Sequence, residues 1–177
     1  MTHLVQFFFC LILVSSILGQ FNSNSGIIPE KFLGAWLYEN SDNLDAYLAA
    51  KGYDEATRKT IQLPKFTRII FKTGNKYREM IGTGLRGIEW IEGSKRVADW
   101  TFELGKEFSS KYWDGTDHKI LFTYDPVGDK LTERHTVIGT NQSENFVFQL
   151  KDQNNLDLHI NFKGVELIHH YKRVASH

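Results

Sequence analysis

Cysteine is all but missing from this chain of 177 residues, where Cys10 stands alone. One thiol forms no internal disulfide, and this one lies in a stretch read below as cleaved away. A disulfide scaffold and thiol catalysis are both excluded from the remainder. Net charge is missing as well. The 21 Lys and Arg balance the 21 Asp and Glu, which argues against nucleic acid as the main partner. No G-x-S-x-G elbow and no H-E-x-x-H helix motif occurs, so the sequence carries neither nucleophile nor zinc signature. His118, His135, His159, His169, His170 and His177 lack the spacing of a ligand set. His169 and His170, adjacent on a strand, point to opposite faces and cannot easily share one ion. No metal, no cofactor and no enzyme activity is expected.

Long apolar runs are scarce too. The one clear case, Leu4 to Leu18, is too short for a transmembrane helix of about 20 apolar residues. Ser15, Ser16 and Gly19 suit a signal-peptidase cut after Gly19. The basic residue that usually precedes such a run is absent, and only His3 stands there. The alternative is a signal anchor. Residues 1–19 are therefore read as a signal peptide and the protein as secreted and extracellular. Removing them leaves 158 residues (177 − 19), which suits one domain large enough to do without disulfides. Residues 20–27, rich in Asn and Ser, read as a flexible arm, and 28–177 as the domain. Asn141-Gln142-Ser143 is a glycosylation acceptor in a secreted chain.

What is present is a succession of strands. Gly34 opens one in which Trp36 and Tyr38 share a face. Asn40 to Asn43 are predicted to stop it. Asp42 is placed to cap a helix carrying the stripe Leu44, Tyr47 and Leu48. Gly52 ends that helix, Asp54 and Glu55 open a second, and Pro64 keeps it short. Strand-like runs follow at Phe66–Lys72, Lys76–Ile81, Arg96–Leu104, Gly105–Trp113, Lys119–Asp125, Lys130–Ile138, Glu144–Lys151, Leu156–Phe162 and Val165–Val174. Tyr77, Glu79 and Ile81 share one face, and Ala98, Trp100, Phe102 and Leu104 another. Ten short strands joined by hairpin turns predict an antiparallel barrel or sandwich.

Two segments carry a resemblance. Gly34 to Leu48 reads G-x-W-x-x-x-x-x-x-N-L-D-x-Y-L, and Phe102 to Phe108 reads F-E-L-G-K-E-F. Both resemble the fatty-acid-binding protein family, over roughly Ile28 to Val174, and the leader resembles its secreted nematode branch. The resemblance implies an all-β fold: a ten-stranded antiparallel up-and-down β-barrel (β-clam) with a helix-turn-helix lid between strands 1 and 2. It implies a monomeric, non-enzymatic carrier of a fatty acid or other hydrophobic lipid, with a retinoid as the alternative ligand.

A buried lipid carboxylate needs an internal partner, because an unpaired buried charge is costly. The family supplies an Arg-x-Tyr on the last strand and an Arg or Gln on the eighth. Here the corresponding positions fall on His169 and Tyr171, and on Gln149. No arginine stands in either place, and Arg134 is the nearby substitute. A cationic His169 would make fatty-acid binding depend on pH. Between Ile81 and Arg96 the chain is longer than a usual hairpin loop. That insertion carries Leu85, Ile88, Trp90 and Ile91, read either as packed on the barrel or as a transient membrane or receptor contact. Arg58 and Lys59 on the lid join this portal as a cationic rim.

Overall fold

The computed structural model describes residues 26–61, 65–86, 89–90, 92–112 and 115–174. The predicted signal peptide and most of the arm lie outside the described residues. Ile28 is already fully buried, and its N–H donates to the Tyr77 hydroxyl at 3.0 Å.

Alternation of large apolar and polar side chains sets the strands. They are β1 (Gly34–Asp42), β2 (Thr67–Thr73), β3 (Lys76–Gly82), the short pair β4 (Leu85–Arg86) and β5 (Glu89–Trp90), β6 (Arg96–Phe102), β7 (Phe108–Lys111), β8 (Asp117–Asp125), β9 (Lys130–Val137), β10 (Ser143–Leu150), β11 (Asn155–Phe162) and β12 (Val165–Val174). Ten of them form one antiparallel sheet in the order β6-β3-β2-β1-β12-β11-β10-β9-β8-β7. The sheet curls into a nearly closed barrel, as the alternation and the resemblance predicted. Its two ends, β6 and β7, are neighbours in sequence but not in the ladder. Across that gap Phe102 stacks on Phe108 and Phe122, the latter with centroids 3.8 Å apart. β7 is shorter than the predicted run because Gly105 turns with a φ of 77°. There its N–H bonds the Phe122 carbonyl at 2.8 Å.

β1 runs further than expected. The residues predicted to end it pair with β12 up to Asp42 opposite Ile168, past a bulge between Tyr38 and Asn40. Asp42 is thus a strand residue and not a cap. The turn into α1 (Leu44–Ala50) is made instead by Asn43 at φ 61°, a conformation asparagine tolerates. The second helix, α2 (Glu55–Thr60), is capped by Asp54, which accepts the Thr57 N–H at 2.8 Å. The lid is tied to the rim at Glu144, which accepts from Tyr47 at 2.9 Å and from Lys51 at 2.8 Å. Arg58 joins the two helices through Asp45 at 2.8 Å and the Tyr53 carbonyl at 3.0 Å. Lys59 pairs with Glu55 one turn back.

The insertion forms the small β4–β5 hairpin, with Leu85 opposite Trp90. Ile88 and Ile91 lie outside the described residues. Trp90 lies against the barrel wall rather than reaching outward. Its N–H donates to Asp99 at 2.9 Å, the Arg96 guanidinium sits 4.9 Å from its ring, and a Cβ on Gly82 would come within 2.6 Å of that ring. Asp99 is held in turn by a two-point pair with Arg78 at 2.7 and 2.8 Å. Of the two readings of the insertion, packing on the barrel is the one these Trp90 contacts favour, since its one polar atom is engaged within the wall. Trp90→Ala should lower stability by about 2 kcal/mol, from one hydrogen bond and one cation–π contact. Urea unfolding reads this directly. A variant as stable as the parent would return Trp90 to the surface role.

Candidate functional site

Among the described residues the barrel interior is largely apolar, and its buried charged groups lie along one line. Trp36, Phe122, Phe148, Leu131, Leu156, Leu158 and Leu167 are almost wholly buried around it. Arg68, Glu79, Glu133 and His135 are buried with them, none more than 5% exposed. Strand periodicity places each there. Arg68 lies two residues from Ile70, Glu79 lies between Tyr77 and Ile81, and Glu133 lies between Leu131 and His135.

These four side chains form one chain of contacts. The Arg68 guanidinium donates from Nη1 to Glu79 Oε1 at 2.5 Å and to Glu133 Oε2 at 2.8 Å. Glu133 Oε1 then meets His135 Nε2 at 2.5 Å. β2 and β9 stand five places apart in the ten-strand order, so the Arg68–Glu133 pair crosses the lumen like a strut. The guanidinium carbon also lies 4.9 Å from the centre of the Phe148 ring. His135 sits in an aromatic box, 4.8 Å from Phe146 and 5.0 Å from Tyr112 between ring centres.

The electrostatics follow from burial against charge. Burial pushes the Glu79 carboxyl up to about 8, with the Glu133 charge adding to the rise and Arg68 opposing it. Burial also pushes Glu133 upward, but Arg68 and His135 together outweigh it and hold Glu133 well below the usual range. Arg68 stays charged, since the two glutamates overcome its burial. The cluster thus carries one guanidinium, one firm carboxylate and one carboxyl that is protonated at neutral pH. Three of its atoms find no hydrogen-bond partner in the protein: Arg68 Nε, Glu79 Oε2 and His135 Nδ1.

Not all of the sequence-predicted site residues meet here. Tyr171 is buried on the inner face, where burial raises the pKa of its hydroxyl and the Arg68 charge opposes the rise. His169 also faces inward, edge-on to Tyr38 with ring centres 5.6 Å apart. Its Nδ1 meets the Ser41 hydroxyl at 2.9 Å. Burial, and then the Arg68 charge, push His169 down to about 4. It is therefore neutral and does not stand in for the missing arginine charge. The two other candidates are corrected. Gln149 is exposed, because Phe146 and Phe148 take the inward positions of β10. Arg134 is exposed too and pairs loosely with Glu107 at 3.8 Å. Asn141 lies exposed in the β9–β10 turn with φ 56°. Among the described residues no group of three His, Cys, Asp or Glu could hold a metal ion. A cleft of about 420 Å³ lies beside His170 and Asp157, but it is polar and open and lacks the apolar lining that a lipid requires.

Comparison with known proteins agrees with this architecture. No protein-family model matches the chain. The fatty acid-binding protein homolog 1 of Caenorhabditis elegans is 32% identical over 153 residues, covering 86% of this chain and 91% of the relative. The fatty acid-binding protein homolog of Ascaris suum is 30% identical over 149 residues, covering 82% and 86%. Among solved structures, As-p18, an extracellular fatty acid binding protein, superposes with a TM-score of 0.68 at 28% identity, over 84% of this chain and all of that one. With the lid, the ten-strand order and this shared length, the chain belongs to the fatty-acid-binding protein family, a family of carriers and not of enzymes.

Proposed function

We propose that the protein is a secreted carrier that holds a single-chain lipid inside the barrel and moves it through extracellular fluid. The observation that carries this reading is a lined interior whose buried charged groups, among the described residues, lie on one strut, within a fold whose relatives are named for fatty-acid binding. Burying a sixteen-carbon chain would contribute on the order of 10 kcal/mol before costs, at about 0.8 per methylene. Ordering the lipid and the lid would offset much of it. The apolar leader and the extracellular relative support secretion, with residues 1–19 removed. Tyr171 and His169 are proposed to line the ligand's path.

Native mass spectrometry of the protein collected from a secreting host should show a chain beginning at Gln20 with one co-purifying lipid. A denaturing extract of the same sample should release that lipid. Protein that retains Met1, or that never carries lipid and takes none from vesicles, would count against the proposal.

A further inference from the structure

We infer that the Arg68 strut selects a lipid with a hydroxyl head, such as a long-chain alcohol, over the corresponding fatty-acid anion. The inference rests on the carrier reading above and names its ligand class.

The argument starts from what Arg68 already holds. Its Nη1 touches two carboxyl groups, one from β3 and one from β9. Glu133 takes the place beside the guanidinium that a ligand carboxylate would need. A lipid anion would bring a third carboxyl to a single cation in a dry interior. No second buried lysine or arginine occurs among the described residues, and His169 is neutral. The added charge would stand uncompensated, which a low-dielectric site strongly disfavours.

The unmet atoms point to a different head. Arg68 Nε–H is a donor, and Glu79 Oε2 and His135 Nδ1 are buried polar atoms without a protein partner. They sit along one hydrogen-bonded chain, so a head group that enters beside the strut meets both kinds of group. A hydroxyl donates one hydrogen bond and accepts two, so it can serve either kind. A carboxylate only accepts, and it brings charge. An alcohol therefore leaves the strut intact, whereas an acid has to displace Glu133 or arrive with a proton.

The test uses the full chain loaded with an uncharged naphthylamine dye that fluoresces in apolar surroundings. Hexadecanol and palmitate are each titrated in to displace it at about pH 7.5, well above the acid's own titration. Hexadecanol is expected to displace the dye at about tenfold lower concentration than palmitate. Glu133→Gln frees the guanidinium, and the ratio should then fall to about one or reverse. If that variant does not fold, calorimetry of the unmodified protein in two buffers of different ionisation heat supplies the second reading. Palmitate should take up about one proton on binding and hexadecanol none. Palmitate binding as tightly as the alcohol, or an alcohol preference untouched by Glu133→Gln, would overturn the inference while leaving the carrier reading in place. So would palmitate binding without proton uptake. Displacement by neither lipid would defeat both.

Discussion

Arg68→Met should cost about 3–5 kcal/mol of folding stability near neutral pH, the range expected when one partner of a buried charge pair is removed. The reason is what remains. Glu79 and Glu133 are both buried to within 1%, and Glu133 owes its low pKa to Arg68 and then to His135, acting against burial. Without the guanidinium, two carboxyl groups face one another in a dry lumen, and one must take up a proton or draw in water. The loss should therefore shrink as pH is lowered and protonation becomes easy. Adding Glu79→Gln and Glu133→Gln to the same chain should recover most of it, because neutral groups carry no comparable desolvation cost. Urea unfolding at two pH values measures all three proteins. An Arg68→Met chain as stable as its parent would mean that the strut does not hold the barrel.

Stability of the unmodified protein should fall as pH rises from about 6.5 to about 8.5, by roughly 2 kcal/mol at 1.36 per pKa unit. The folded Glu79 titrates near 8 instead of 4.5. Between those values the folded state holds a proton that the unfolded chain has released. Its contribution is full below 4.5 and is lost as pH climbs through 8. His169 works in the opposite direction over part of the range. Its folded value is near 4 instead of 6.5, so between these the unfolded chain binds the extra proton and stability rises with pH. The two slopes oppose each other below 6.5, and above it Glu79 acts without that opposition. Glu79→Gln should flatten the upper limb, whereas His169→Phe should alter only the lower one. Thermal unfolding at half-unit steps of pH resolves the two. An upper limb unchanged in Glu79→Gln would assign the slope elsewhere.

The frame of the molecule was legible because it depends on period and punctuation. Trp36 with Tyr38, and Trp100 with Phe102, announce strands buried on one side, and Gly52 and Asp54 mark the break between the lid helices. The end of β1 was misread because Asn40 to Asn43 favour turns locally, yet pairing with β12 overrides that preference. Gln149 was misplaced by one residue of register, which on a strand reverses the face. Arg68 was missed because it sits in a run that reads simply as a β-branched strand. A signal was nevertheless there. Arg68, Glu79 and Glu133 each stand two positions from a large apolar residue on the inward face, and the face shared by Tyr77, Glu79 and Ile81 was visible in the sequence. What no single strand shows is that β2 and β9 lie opposite each other, so the pairing becomes readable only once the barrel closes.

The first strand of the barrel lies between β2 and the last strand. Ala35 pairs with Val174, 139 positions later (174 − 35). A ribosome completes β12 long after β1, so the first strand must wait for its second neighbour until β12 has emerged. Such distant pairing makes closure slow relative to a helical bundle of the same size. In the interval the β1 edge that later meets β12 is bare, and the strut has no frame to hold it. Nascent chains should thus keep an open seam along β1 until β12 closes it.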